Sequence, residues 1–288
     1  MFGDVTSANI VGYQTINQSE SGRWLRGATF NGIGLTDGSK SLDGYDIQSI
    51  VPAIPAESYD DEGNPTVLKD GEAQIQLIKL NGATQKTLSY FTVGGSFGKT
   101  VAGWYERDAS SGEWNLSNKK FVRGEGFRYL PPTVFDEDGE DGEELATTYN
   151  TAGEVKLAAK THTLSESGRW QLANYRPVAM DIQKLIPSIP AESYDDEGNP
   201  TVLKDGEAQI QLIKLNGATQ KTYSYFTVGG SFGKTVAGWY ERDASSGSWN
   251  LVEKNFAPGE GFLYLPPTVF DEDGEDGEEL ETYLTFAE

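Results

Sequence analysis

The sequence predicts an all-β protein: two tandem antiparallel β-sandwich or barrel-like domains set in line, near-identical by internal duplication. Three observations predict it. Residues 55–145 return almost letter for letter at 190–280, and AESYDDEGNPTVLKDGEAQIQLIKLNGATQKT, starting at Ala56 and again at Ala191, is repeated without a change. Short segments of alternating apolar and polar residues recur between Gly, Pro, Asn and Asp clusters, and little in the chain carries a helical period. The length of 288 residues is that of two ordinary domains, and the duplication divides them into units 1–152 and 153–288.

Taken in order, the first unit opens on SANIVGYQTI, an apolar segment from Ser7, followed by SESGRW at Ser19–Trp24; the second unit has its own SESGRW at Ser165–Trp170. The Gly-, Ser- and Asp-rich stretch 31–45 belongs to the first copy only and reads as an inserted surface loop. DIQSIVPAIP and its twin DIQKLIPSIP offer one or two helical turns before proline ends them. AQIQLIKL, then Asn81-Gly82, then TQKTLSYFTV is a strong hairpin signal. VAGWYERD, the segment Gly124–Leu130 and ATTYNTAGEV supply further strands, which suits a sandwich or barrel. No Pro- or Ser-rich spacer follows Thr147, so the last strand of unit one is expected to run straight into the first strand of unit two as a stiff rod.

Charge and composition narrow the function. With 44 Asp and Glu against 23 Lys and Arg, the formal charge of -21 argues against nucleic acid or an anionic membrane surface as partner. Cysteine is absent, which removes disulfides, thiolate nucleophiles and cysteine metal sites. No apolar run approaches the roughly 18 residues of a spanning helix.

Two acidic loops recur in each copy. The first holds Asp60 and Asp61, matched by Asp195 and Asp196; the second holds Asp136, Asp138 and Asp141, matched by Asp271, Asp273 and Asp276. So many carboxylates in one turn repel unless they are solvated or share a cation, and hard oxygen ligands at that density suit Ca²⁺. The spacing is not that of an EF-hand, and the alternative is a solvated turn whose Asp-Gly pairs supply positive φ. GGSFGKT, at Gly94–Thr100 and Gly229–Thr235, is one residue short of a phosphate loop and lies between strands. Trp104 and Trp239 are candidates for glycan stacking if exposed, and core residues otherwise. His162, the only histidine, aligns with Ile16 and reads as a strand residue; one unduplicated histidine supports neither a triad nor a zinc site. No two carboxylates stand out as a glycosidase pair, so the expectation is a protein that is not an enzyme.

ANIVGYQT, the pair Gly103-Trp104 and the late GEGF at Gly124–Phe127 and Gly259–Phe262 resemble a group of secreted, mostly uncharacterised bacterial all-β repeat proteins of verrucomicrobial type, which carry an NIVGY-like start and a PGEGF-like strand. Unit two has the fuller form with Pro258, where unit one has Arg123; unit two lacks the start motif. The resemblance implies an all-β fold and secretion to the cell exterior or surface. Met1-Phe2-Gly3-Asp4, without signal-peptide character, then reads as the start of a processed form.

These readings converge on a structural subunit of an extracellular filament or surface layer that partners with itself head to tail by strand addition. Ala8, Asn9, Ile10, Val11, Gly12, Tyr13, Gln14 and Thr15 are the expected exchanged or edge strand, and the closing TYLTFAE is a second end able to pair with a neighbour. The alternative is a surface carbohydrate-binding or adhesion protein with two equivalent sites.

Overall fold

The computed structural model describes residues 11–32, 35–37, 40, 41 and 43–288. Unit one contains β1 (Val11–Gln18), β2 (Trp24–Arg26), β3 (Thr36–Asp37), β4 (Lys40–Ser41), β5 (Gly44–Asp46), β6 (Val51–Ala53), β7 (Gln74–Ile78), β8 (Thr84–Phe91), β9 (Gly103–Arg107), β10 (Trp114–Leu116), β11 (Lys120–Val122), β12 (Phe127–Leu130) and β13 (Thr147–Glu154). Unit two contains β14 (Lys160–Leu164), β15 (Trp170–Ala173), β16 (Met180–Asp181), β17 (Leu185–Ser188), β18 (Gln209–Ile213), β19 (Thr219–Phe226), β20 (Gly238–Arg242), β21 (Trp249–Leu251), β22 (Asn255–Phe256), β23 (Gly261–Leu265) and β24 (Thr282–Phe286).

The all-β expectation holds: the sheets are antiparallel and the helical residues are short 3₁₀ turns. In unit one a six-stranded sheet runs β10-β9-β8-β7-β12-β2, a three-stranded sheet β1-β13-β6, and a ribbon β11-β5. Unit two repeats this arrangement as β21-β20-β19-β18-β23-β15, β14-β24-β17 and β22-β16. Each unit encloses its own core. In unit one Ile47, Ile75, Trp104, Phe121, Phe127, Tyr129 and Tyr149 meet, and Ile182, Ile210, Trp239, Phe256, Phe262, Tyr264 and Leu284 meet in unit two.

Local chemistry explains the elements. The β7–β8 hairpin closes at Asn81-Gly82: Gly82 takes φ +86°, and the Asn81 side chain accepts from the Ala83 N–H at 3.0 Å. DIQSIVPAIP gives one 3₁₀ turn, Ile47–Ser49, capped by Asp46 accepting from the Gln48 N–H at 2.9 Å, and then β6 instead of more helix. The inserted stretch adds the small β3–β4 hairpin, and its side-chain anchor is Asn31, which donates to Asp43 at 2.6 Å.

Three expectations about the ends and the joint are corrected. First, β13 and β14 are not one continuous strand: residues 155–159 break the ladder, held by the Ala158 carbonyl, which accepts from the Tyr175 hydroxyl at 2.7 Å. Second, the units are not strung in line through that connector alone, because β2 and β15, the edges of the two large sheets, meet the opposite unit directly. The Arg23 N–H donates to the Leu215 carbonyl and the Arg169 N–H to the Leu80 carbonyl, each at 2.9 Å. Gly27 N–H reaches Gly259 at 3.1 Å while the Ala173 N–H reaches Gly124 at 2.9 Å. Each of these bonds has a mate with the units exchanged, so the joint is built around a local two-fold, like the isologous interface of a dimer. Sheet edges left open are costly, and each unit covers the other's.

Third, the closing strand is not free. β24 lies between β14 and β17, so both of its edges are occupied. Of the proposed exchange segment, Ala8, Asn9 and Ile10 lie outside the described residues. Val11, Gly12, Tyr13, Gln14 and Thr15 pair with Glu154, Gly153, Ala152, Thr151 and Asn150 of β13 in their own unit. β1 remains an edge strand on its other side.

Candidate functional surfaces

Trp104 and Trp239 are not available to a ligand: both are fully buried. Each indole N–H donates at 2.7 Å to a carbonyl, Ile50 for Trp104 and Leu185 for Trp239. Gly103 precedes Trp104 because a Cβ there would lie 2.4 Å from the Gln48 side-chain oxygen, which accepts from the Trp104 backbone N–H at 2.9 Å. The two-ring wedge fills the core, as its large apolar area favours.

The exposed aromatic surface lies next door, in the glycine-rich connection between β8 and β9. Gly94 and Gly98 adopt φ of +71° and +61°, which folds the loop back so that Phe97 lands on the sheet. Phe97 stacks on buried Phe91 at 4.7 Å and 12°, while Trp114 of β10 meets Phe91 edge-on at 4.8 Å. Phe97 is still 52% exposed, and Val93, Val101 and Leu116 are exposed as well. Asp70 ties the loop down: its carboxylate accepts from the Thr92 N–H at 2.7 Å, the Thr92 hydroxyl at 2.9 Å and the Phe97 N–H at 3.0 Å. Partial burial pushes the Asp70 pKa up, and these hydrogen bonds outweigh it, leaving the carboxyl below its ordinary value. Lys99 reaches the Trp114 carbonyl at 2.8 Å and lies over the Tyr105 ring.

Unit two rebuilds this surface. Phe232 stacks on Phe226 at 4.8 Å and 12°, Trp249 meets Phe226 at 4.8 Å, and Asp205 accepts from Thr227 and Phe232 as Asp70 does. Over 56–116 and 191–251 the copies differ only at Leu88/Tyr223 and Glu113/Ser248. Positions that diverge between the copies include several at the joint: Ile16/His162, Leu25/Gln171, Gly27/Ala173 and Arg123/Pro258.

The two acidic loops of each unit are neighbours. Tyr59 bridges Phe135, and the Glu140 N–H donates to the Asp61 carbonyl at 3.1 Å. Their carboxylates serve the turns themselves. Asp60 accepts from the backbone N–H of Asn64 at 2.9 Å and of Glu62 at 3.1 Å, and the Asn64 contact leads in holding its carboxyl below the usual range. Asp195 repeats this with Asn199 and Glu197. Asp136 and Asp271 accept from the Asp138 and Asp273 N–H groups at 3.1 Å, while Asp61, Asp138, Asp141, Asp196, Asp273 and Asp276 are exposed. A hollow of about 310 Å³ between the loops of unit two is lined by Asp195, Asp196, Glu207 and Glu275, and by the cation Lys204. Among the described residues no three His, Cys, Asp or Glu side chains converge as a metal-holding group. One residue of the second acidic run has a different role: Glu144 accepts from the Ser21 backbone N–H and, at 3.3 Å, its hydroxyl, pinning SESGRW; Glu279 does the same for Ser167.

Sequence reasoning counted Trp114 and Trp249 among the aromatic residues able to form a stacking platform and missed Phe97 and Phe232. The available signal was a bulky apolar residue inside a polar glycine-rich turn, where burial has no strand to serve it. No protein-family model, curated protein or solved structure matches this chain.

Proposed function

We propose that the protein is a non-catalytic, extracellular adhesion module that binds carbohydrate through two equivalent aromatic surfaces, one centred on Phe97 and Trp114 and the other on Phe232 and Trp249. The observation that carries this reading is the pair of half-exposed phenylalanines, each stacked on a buried ring with nearly the same distance and angle in both units. A ring fixed in this way offers a flat apolar face to the C–H side of a sugar at little entropic cost, since its rotamer is set before binding. The strongly acidic chain disfavours anionic polymers, which directs the choice to neutral or amine-bearing glycans. Two such faces on one scaffold gain avidity from the second contact. The resemblance of the NIVGY-like and PGEGF-like segments to secreted bacterial proteins supports the extracellular setting.

The test is a glycan array followed by calorimetry. The native chain is expected to bind a neutral polysaccharide; F97A or F232A alone should weaken binding to an immobilised polymer by about 100-fold through lost avidity, and the double variant should abolish it. A native chain that binds nothing on the array, or a double variant that binds as well, overturns the reading.

A second reading, a filament or surface-layer subunit, is favoured by β1. It is an edge strand with Val11 and Tyr13 exposed at 62% and 67%, the kind of edge that pairs with another chain. Negative-stain microscopy at high protein concentration is then expected to show filaments that V11K prevents; monomers throughout would remove this reading.

A further inference from the structure

The joint has two symmetry-related sides that differ at several positions, Arg123/Pro258 and Gln14/Lys160 among them, and one difference puts a buried ionisable ring at the seam: His162 in place of Ile16. On one side Ile16 packs under Gly259, where an added Cβ would lie 2.5 Å from the Ile16 side chain. On the other, His162 takes the place of Ile16 and packs under Gly124 with equal closeness, an added Cβ lying 2.5 Å from its Nε2. His162 is 8% exposed and its Nε2 has no hydrogen-bond partner. Only the absence of a side chain at Gly124 lets unit one close over the ring.

The groups around the imidazole are unfavourable to a further positive charge. Its own strand contributes Lys160, and the turn before Gly124 contributes Arg123; both pair with the single carboxylate of Asp43, at 3.0 and 3.1 Å. Glu125, which lines the same cleft, is held by Lys119 at 2.8 Å and the Val122 N–H at 2.9 Å. From unit two come the Phe286 ring, 5.1 Å from the imidazole, and Tyr175, which carries the guanidiniums of Arg123 and Arg176 against its ring at 4.8 and 5.7 Å. A protonated His162 would have a new N–H without an acceptor beside two cations that share one anion.

We propose that this side of the joint is an acid-operated release: protonation of His162 frees Gly124 and the Arg123 turn from unit two, while the Ile16 side stays closed. Burial, then Lys160 and Arg123, hold the imidazole down to about 4 from its ordinary 6.5, with Asp43 acting the other way. Between these values the opened joint binds more protons than the closed one, so closure is favoured near neutrality and is lost as the pH falls from 6.5 towards 4. The ceiling on that loss is about 300-fold in the closing equilibrium.

The duplication supplies the control. Hydrogen exchange at the Gly126 and Ala173 amides, which donate across the His162 side to Gln171 and Gly124, is compared with exchange at Gly27, which donates across the other side to Gly259. Taking the ratio of protection factors cancels the intrinsic pH dependence of exchange. From pH 7 to 4.5 the ratio is expected to fall at least about tenfold in the native chain and to stay flat in H162I, which installs the twin's residue. An equal fall in both chains, or none in the native chain, overturns the proposal. Should H162I fail to fold, the single histidine resonance of the native chain decides: a titration midpoint below 5.5 is expected, and one at or above 5.5 overturns it.

Discussion

Replacing Trp104 with alanine is expected to unfold unit one or bring it to the edge of unfolding. The side chain is fully buried, its rings meet Tyr90 and Tyr129 edge-on at 5.4 and 6.4 Å, and its N–H satisfies the Ile50 carbonyl. Truncation of a buried tryptophan removes about 3–5 kcal/mol through lost transfer energy and the cavity left behind, against a total of about 5–15 kcal/mol for a domain. Strand order places Trp104 on β9 between β10 and β8, so the cavity would open under the β10 side of the large sheet. Urea titration followed by near-ultraviolet circular dichroism should show the loss, with W104F milder and W239A doing the same to unit two. A W104A midpoint within experimental error of the native one would refute the core assignment. The same result bears on ligand binding: loss of binding in W104A together with loss of fold says nothing of a sugar contact, which is why Phe97 is the residue to vary.

The second large effect is expected at the joint, from valine at Gly22 and Gly168 together. Both glycines sit at positive φ, +133° and +136°, and a Cβ on either would stand 2.7 Å from the Leu215 Cβ or 2.6 Å from the Leu80 Cβ. Each substitution therefore combines backbone strain of about 1–3 kcal/mol with a collision against the tip of the opposite unit's hairpin. The neighbouring Arg23–Leu215 and Arg169–Leu80 hydrogen bonds would part as the hairpins retreat. Because each unit keeps its own core, the units should stay folded while the joint opens. Small-angle scattering is expected to report a larger radius of gyration, and calorimetry two transitions where the native chain is expected to show one coupled transition. An unchanged radius with a single transition in the double variant would show that the hairpin contacts do not hold the units together.

These residues also show how much was legible beforehand. The hairpin at Asn81-Gly82 was readable because its determinants are local: an alternating strand on each side and a two-residue turn that needs positive φ. Trp104 was readable only as one of two things, core or platform, because alternation tells which residues share a face but not which face is covered. The reading of Phe97 failed for a related reason. A glycine-rich loop has no periodicity, and its direction comes from Asp70, more than twenty residues earlier in the chain. The acidic loops were seen as carboxylate clusters; that Asp60 and Asp136 spend their oxygens on their own turns, and that Glu144 pins SESGRW, depends on loop closures that charge counting does not reveal.

Strand composition, the turn residues and the duplication, all of them properties of short stretches or of one stretch compared with another, were enough to determine from the sequence an all-β chain with a repeated unit. The reciprocal joint, the occupied edges of β24 and the pairing of β1 within its own unit were decided by the tertiary structure. The reason is physical: an antiparallel ladder satisfies its backbone groups with any strand of suitable register, so which strand supplies them depends on which edge is near once the cores have closed. The near-identity of the two blocks made a joint between them easy to overlook, and some of the positions where the copies differ, His162 against Ile16 above all, lie where the two units touch.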